Sequence, residues 1–424
     1  VIKAIRGMHD ILPEQAYLWR FFEQTATQIL DEYGYQQIRT PIVEVTELFQ
    51  RTIGEVTDIV EKEMYTFNDR NDASITLRPE GTASCARAAA EHGLIHNGQV
   101  RKFWYVGPMF RYERPQKGRL RQFHQLGVEV FNAETAYIEV ELILLTARLW
   151  RKLGISDVIT LQLNSIGASQ DRKQYEAALV NFLQQHKDVL DEDSQRRLTT
   201  NPLRILDSKN ELTQSILKDA PKLVDYLSDN SKSHFKTLTG LLDGLGISYG
   251  INPKLVRGLD YYNDTVFEWV TTELGAQGTV CAGGRYDGLV ECISAKPAAG
   301  FGFAMGLERL MLLIEACSKV KIPVNLPDIY FCSLGCELLA YKVIEDLHDN
   351  FPNLRISCNH GGGNLSNQLK KAGKSGAKWA FIIGSKEQEE QSISIKNLDD
   401  AKDQYFIKIN ELHGFISNKF NEGK

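Results

Sequence analysis

A chain of 424 residues, 43% hydrophobic and 24% charged, exceeds one ordinary core and points to two or three domains of a soluble globular protein. No apolar run approaches the roughly 18 residues of a membrane span, and the opening VIKAIRGMHDILPEQ has no signal-like apolar block, so a cytoplasmic location without membrane attachment is expected. The net charge of −5 argues against coating nucleic acid by global attraction and leaves room for a local basic surface.

Tyr17 to Tyr33 carries an amphipathic helical pattern that ends near Gly34, and YQQIRTPIVE reads as a strand broken by Pro41. TLRPEGTASCARAAA then places Arg78, Glu80, Gly81 and Thr82 before an alanine-rich helix. A carboxylate and a hydroxyl there are either helix caps or ligands of a substrate ammonium. From Arg101 to Phe131 two strand patterns flank the loop RPQKGRLR. Arg111 and Glu113 share a strand face in this reading, and Arg114, Lys117, Arg119 and Arg121 crowd the loop. Such a loop suits a polyphosphate gripped by guanidinium forks, or is a solvated charged hairpin.

The strand QFHQLGVEVF is the most informative. At a period of two, Leu126, Val128 and Val130 share an apolar face with His124, while Phe123, Gln125, Gly127, Glu129 and Phe131 share the other. An amide, a bare glycine and a carboxylate between two rings suggest a lined cavity; a half-solvated antiparallel strand is the alternative. The helix ELILLTARLWRKLG stops at Gly154, and VITLQLNSIG is another strand. Gln170 to Ser248 is polar and helical in pattern, and reads as an inserted module.

Strands resume in LVRGLDYYNDTVFEW, which sets Arg257 and two tyrosines at a strand mouth where burial alone needs neither. In GTVCAGGRYDG, glycines stand beside Arg285 and Tyr286, for close approach to a ligand or for a bulge. The helix LERLMLLIEAC and the proline-bearing linker KVKIPVNLPDIYF follow. Strand–helix alternation in the last hundred residues implies a small α/β domain. Predicted boundaries are 1–169, 170–248, 249–322 and 328–424. Two phosphate-loop decoys fail: AGKSG has Gln368 where a P-loop needs glycine, and GFGFAMG has the wrong glycine spacing for a dinucleotide fingerprint. Seven cysteines offer no CxxC pair and no zinc spacing, and Cys332 and Cys336 read as small buried residues, so no resident metal is expected.

Together these stretches resemble the bacterial histidyl-tRNA synthetases, a family of class II aminoacyl-tRNA synthetases, along essentially the whole chain. The first class motif looks like GYQQIRTPIVEVTELFQR with Pro41. The second is FRYE followed by Arg119-x-x-x-Phe123, and the third is GFAMGLER, with Ala304 in place of a generic glycine. LVRGLDYY and AGGRYDGL match the two histidine-specific signatures. The resemblance implies an α+β fold: an antiparallel sheet with flanking helices, a helical insertion, and a C-terminal α/β anticodon-binding domain.

It also implies ATP-dependent activation of histidine, with Mg2+ on the ATP phosphates, and transfer to tRNA by a homodimer. Phe123 and Arg309 would sandwich the adenine. Arg111 would bind the α-phosphate and the histidine carboxylate, and Arg119 and Arg121 the outer phosphates, with Glu113 also on the ATP side. Glu80, Gly81 and Thr82 would hold the ammonium, Glu129 and Tyr262 the imidazole, with Tyr261, Tyr286 and Gln125 around them. Arg257 would be a fixed cation on the α-phosphate, where other class II enzymes place a metal. Gln116 would meet the tRNA acceptor end, and Lys370, Lys371 and Lys374 the anticodon. The alternative is a catalytically silent relative, the regulatory subunit of ATP phosphoribosyltransferase. Such relatives usually lack the C-terminal domain and have degraded motifs, whereas this chain keeps Arg111, Arg257, Arg309 and a full C-terminal stretch.

Overall fold

The alternation in Gln122–Phe131 is realised as a strand at the centre of a large sheet. Leu126, Val128 and Val130 enter one hydrophobic core, and Phe131 enters the core on the opposite face. The computed structural model describes residues 2–420 apart from 55–56, 96–97, 209, 276–277, 295, 323, 325 and 401–402. Two positions of the expected linker, 323 and 325, thus lie outside the described residues. The chain divides into two compact units, Val1–Ile322 and Pro323–Lys424.

The strands of the first unit are β1 (Gln36–Gln37), β2 (Val43–Val45), β3 (Tyr65–Asn68), β4 (Ser74–Leu77), β5 (Arg101–Phe110), β6 (Gln122–Phe131), β7 (Thr160–Ser165), β8 (Tyr249–Ile251), β9 (Asn263–Val270), β10 (Thr279–Arg285) and β11 (Gly300–Gly306). Eight of them form one sheet in the order β1-β5-β6-β11-β10-β9-β7-β8, and β2-β4-β3 form a small antiparallel sheet. The ladder from β5 to β7 is antiparallel throughout, and only the edge strands β1 and β8 pair parallel. Helices Pro13–Glu32, Ala136–Lys152 and Leu307–Cys317 cover one face, each contributing a stripe of buried apolar residues. Gly34 and Gly154, at φ +76° and +69°, end the first two by the left-handed turn that glycine adopts without a Cβ clash.

The segment between β7 and β8 is helical, with long helices Ser169–Gln184 and Asp229–Gly244. It is not a separate core: Tyr175, Leu179 and Leu183 share a cluster with Tyr262, Val266 and Tyr286. The second unit has β12 (Ile329–Ser333), β13 (Ile356–Cys358), β14 (Trp379–Ile383), β15 (Ser392–Asn397) and β16 (Gln404–Lys408), ordered β13-β12-β14-β15-β16. The first three are parallel and joined through helices Glu337–Asn350 and Leu365–Lys374, as the alternation implies; β15 and β16 add an antiparallel edge.

One sequence reading changes and one alternative is decided. Strand β5 ends at Phe110, so Arg111 and Glu113 lie beyond it rather than on a strand face. The glycines of GTVCAGGRYDG serve the sheet. The β10–β9 register shifts between Gly284 and Arg285, and a methyl at Gly283 would lie 2.1 Å from the Gly302 carbonyl. Arg285 itself is buried. Its Nε donates to Glu139 at 2.8 Å and its Nη1 to Asp287 at 3.1 Å, while the His234 ring lies 2.7 Å from the same Glu139 oxygen. Burial opposes the Glu139 charge, but His234 and Arg285 outweigh it and hold the carboxyl below its ordinary value. Removing one partner of such a buried group leaves an uncompensated charge. Glu139→Ala is therefore expected to cost about 3–5 kcal/mol in denaturant unfolding, because Arg285 stays buried with little compensation. A loss under about 1 kcal/mol would show that Asp287 and the backbone suffice.

Candidate active site

A cavity of about 220 Å³ opens on the face of the large sheet carrying the polar side of β6. Glu80, Thr82, Arg111, Glu113, Arg119, Phe123, Gln125, Arg257, Tyr261, Tyr262 and Arg309 all line it, so residues drawn from five separated stretches meet in one place. The wall is completed by Thr279, Cys281 and Ala282 of β10 and by Leu120 and Glu308, which sequence reasoning did not single out.

The cations are held before any ligand enters. Arg111 Nε donates to the Pro79 carbonyl at 2.8 Å, and its guanidinium stands 5.3 Å from the Phe123 ring centre. Arg309 Nε donates to Gly118 O at 3.2 Å and Nη1 to Thr279 O at 3.0 Å. Gly118 has φ +72°, and a Cβ there would press on Arg309 Cγ at 3.0 Å. Arg119 pairs with Glu113. Arg257 Nη1 donates to Glu268, whose other oxygen accepts from Thr279 Oγ1 at 2.9 Å. Burial works against the Arg257 charge, but Glu268 and the phenols of Tyr262 and Tyr261 raise its pKa above the ordinary value. Arg257 Nε and Gln125 Oε1 are buried and have no hydrogen-bond partner among the described residues. Buried polar atoms without partners carry a desolvation penalty, so these two mark where a ligand would be compensated.

Glu80 is a helix cap, one of the two sequence readings. Its carboxylate accepts from Thr82 N at 2.6 Å and Ala83 N at 2.9 Å at the start of helix Thr82–Glu91. It also faces the cavity, where burial raises its pKa against those two bonds.

Glu129, Tyr286 and Gly81 lie behind the wall. Glu129 is fully buried and accepts from Thr82 Oγ1 at 2.8 Å, from Tyr105 OH at 2.9 Å and from Tyr286 OH. Four glycines make the space. Cβ atoms at Gly81 and Gly127 would strike the Tyr105 ring at 2.1 and 2.2 Å, one at Gly300 would strike Tyr286 at 2.3 Å, and one at Gly302 would meet Glu129 Oε2 at 2.1 Å. Tyr105 was missed in the sequence; the glycine opposite it in the next strand, Gly127, was the available signal. Burial, helped by Glu80, pushes the Glu129 pKa up to about 8 against its three hydroxyl donors.

Three expected contacts fall outside the cavity. Arg121 stacks on Tyr112 at 3.7 Å, with Nε donating to Glu113 O at 3.2 Å. Gln116 lines a neighbouring cavity together with Lys117 and His124. Gly258, which follows Arg257 in the signature and would suit close backbone approach to a ligand, does not line the cavity either; a Cβ there would meet Arg204 at 3.0 Å. In the second unit Lys370, Lys371 and Lys374 are exposed on helix Leu365–Lys374. Lys371 donates to Asn359 Oδ1 at 3.0 Å, and Lys371 and Lys374 sit in the last turn, where cations suit the helix dipole. No group of three or more His, Cys, Asp or Glu among the described residues could hold a metal ion, and no described helix is long and apolar enough to cross a membrane.

Comparison with known proteins gives this geometry a place. Residues 7–310 match a family model described as histidyl-tRNA synthetase, and residues 330–419 one described as an anticodon binding domain. The crystal structure of apo histidyl-tRNA synthetase from S. aureus is 35% identical, covers 98% of this chain and 99% of its own, and superposes with a TM-score of 0.81. A histidyl-tRNA synthetase from Nostoc sp. PCC 7120 is 21% identical over 99% of this chain and 100% of its own, with a TM-score of 0.70. A Bacillus halodurans C protein titled ATP phosphoribosyltransferase regulatory subunit/histidyl-tRNA synthetase is 22% identical over 90% and 97%, with a TM-score of 0.63. At those identities the last two share the fold. The antiparallel sheet, its flanking helices and the C-terminal α/β anticodon-binding domain are the class II aminoacyl-tRNA synthetase fold. Within that class, the chain belongs to the histidyl-tRNA synthetase family.

The pH response of the buried carboxyl is testable. Between the ordinary carboxylate range and pH 8 the unfolded chain ionises Glu129 while the folded chain keeps the proton. The folded state then binds more protons, and this group's contribution to stability falls as pH rises. Glu129→Gln removes the titration. Its stability relative to the unchanged protein is expected to improve from pH 5 to pH 8 in urea unfolding; parallel pH curves would refute a retained proton.

Proposed function

We propose that this protein is a histidine–tRNA ligase: it joins L-histidine to ATP as histidyl-adenylate with release of pyrophosphate, then passes histidine to the 3′ end of its tRNA. The observation that carries this reading is the convergence of Arg111 and Arg257 on one cavity with Phe123, Gln125 and the phenols of Tyr261 and Tyr262. Two anchored guanidinium groups suit a reaction between two anions, a carboxylate and a polyphosphate. Phe123 offers an aromatic face for a base, and Gln125 Oε1 lacks only a donor such as an ammonium.

In the first step a histidine carboxylate oxygen attacks the α-phosphorus of MgATP, the bond to the bridging oxygen breaks, and pyrophosphate leaves. Negative charge grows on the non-bridging oxygens. Arg257, fixed by Glu268 and stacked toward Tyr262 at 5.7 Å, meets that charge without solvent reorganisation, with Arg111 on the carboxylate side. Arg309 and Phe123 hold the adenine, and Glu113 and Arg119 lie toward the outer phosphates. In the second step a ribose hydroxyl at the tRNA 3′ end attacks the adenylate carbonyl and AMP leaves. Glu80 and Thr82 take the ammonium end of histidine, with Gly81 between them behind the wall. Glu129 and Tyr262 recognise its imidazole, which requires Tyr286 to yield part of the Glu129 carboxyl to the ligand. A site that hydrogen-bonds both ring nitrogens rejects isosteres by leaving buried polar groups unpaired.

The tRNA contacts proposed are Gln116 at the acceptor end and Lys370, Lys371 and Lys374 in the anticodon-binding unit. The homodimer is proposed to form through the first motif, where Ile42, Val43, Val45 and Phe67 are exposed on or beside the small sheet. Cytoplasmic location and the three-part division of the first unit's chain, 1–169, 170–248 and 249–322, remain part of the same proposal, with 328–424 as the anticodon-binding domain.

ATP–pyrophosphate exchange with histidine and then with each other amino acid, without tRNA, tests the first step. Histidine-dependent exchange supports the ligase; none from folded, ATP-binding protein favours the silent regulatory relative named in the Bacillus halodurans title. Arg257→Ala is expected to slow exchange by about 10²–10³ in kcat with histidine and ATP binding little changed. A pure binding defect would remove Arg257 from the chemistry. Glu129→Ala is expected to weaken histidine binding in equilibrium titration and leave ATP binding intact; unchanged histidine affinity would end its assignment to the imidazole.

A further inference from the structure

We infer that Arg172, on the first helix of the inserted segment, is a positioning residue that sets the Tyr262 end of the histidine pocket. This rests on the reading of the cavity as the amino-acid site. Arg172 stands in the first turn of helix Ser169–Gln184, where the helix dipole disfavours a cation. Its guanidinium is turned across to the sheet, and Nη1 donates to the backbone carbonyl of Tyr262. Burial lowers its pKa, only partly offset by the carboxylates that face it, Glu176 on its own helix and Asp260 and Asp264 from the signature loop and β9.

The same inserted segment grips this stretch at neighbouring points. Asn201 Nδ2 donates to Asp260 Oδ1 at 3.0 Å, and Ser231 Oγ donates to Asp264 Oδ1 at 2.6 Å. Asp264 N donates to the Gly167 carbonyl at 2.8 Å, just before the helix that carries Arg172. From the other side, Asp260 N donates to the Ile53 carbonyl at 3.2 Å, next to Gly54, whose absent Cβ would lie 2.4 Å from Asp260 Oδ2. Tyr262 is thus suspended between the end of helix Thr46–Ile53 and the inserted segment. Its ring, 6 % exposed, packs at 4.6 Å on Tyr261 and cannot shift alone.

Arg172 does not line the site cavity itself and reaches it only through Tyr262, so its effect is expected at the amino-acid end. An adjoining cavity of about 280 Å³, lined by Arg172, Asn201, Asp260 and also Arg257, lies on the outer side of this grip. The inserted segment is therefore the outer frame of the specificity loop, and Arg172 is the strut.

The test compares Arg172→Ala and Arg172→Lys with the unchanged enzyme in ATP–pyrophosphate exchange, with melting temperatures as a control. The KM for histidine is expected to rise at least about tenfold in Arg172→Ala, with the KM for ATP within about twofold and melting unchanged, because a small displacement of a contact group is costly. Arg172→Lys, which keeps a donor, should recover part of the loss. Unchanged histidine KM, or parallel loss for both substrates with lowered melting, overturns the inference. If the unchanged protein shows no histidine-dependent exchange, the proposed function fails instead. Amide hydrogen exchange at Tyr262 to Asp264 in Arg172→Ala then decides: faster exchange sustains the strut, and unchanged protection removes it.

Discussion

A single buried carboxyl organises the polar half of the first unit. Glu129 sits in the second half of a central strand, shut off from solvent, where an ionisable group is tolerated only if its oxygens are engaged. Thr82, Tyr105 and Tyr286 supply hydroxyls from three different elements, and glycines at 81, 127, 300 and 302 clear the volume these large side chains occupy. Antiparallel pairing sets the geometry: Gly127 lies opposite Tyr105, and Gly302 opposite Glu129. Residues that look like loop-forming or ligand-approach glycines are therefore the negative image of one hydrogen-bond cluster.

On top of this layer stand the guanidinium groups, and each is tied down by the protein itself. Arg111 holds a carbonyl, Arg257 a carboxylate, and Arg309 two carbonyls on opposite walls. Fixing these side chains in the free protein prepays their conformational entropy. The pairing of Arg257 with Glu268 has a further consequence. The carboxylate keeps a buried cation charged and aimed, while leaving its Nε unpaired. A reacting phosphate would meet a cation already in place.

The charges outside the cavity obey the same rule of burial and compensation. Arg285 looks, from its sequence surroundings, like part of the ligand site, yet it is locked to Glu139 and Asp287 as a strut between a strand and a flanking helix. Arg121, another cation of the charged loop, is spent on Tyr112. In both cases charge and motif alone do not distinguish a ligand-facing arginine from a structural one, because the distinction depends on which carboxylates or rings lie across the fold.

Local pattern by itself determined a first helix, read over Tyr17–Tyr33 and observed over Pro13–Glu32, the helix Leu307–Cys317, the strand Gln122–Phe131 with its two unlike faces, and the strand–helix alternation of the second unit. Side-chain periodicity and glycine stops are properties of neighbouring residues, and are legible without the fold. The motifs, read as a family resemblance, also marked eleven of the residues that meet in the cavity. Only the tertiary structure decided that the ladder is antiparallel in the order β5-β6-β11-β10-β9-β7, that Glu129 and Tyr286 lie behind the wall, and that Tyr105 pairs with Glu129, Glu268 with Arg257, Glu139 with Arg285 and Arg172 with Tyr262. These partnerships join residues up to 146 positions apart, and a buried hydrogen bond at that separation leaves no local signature. Its energy depends on desolvation and on donors supplied by other elements, neither of which exists until the sheet has closed.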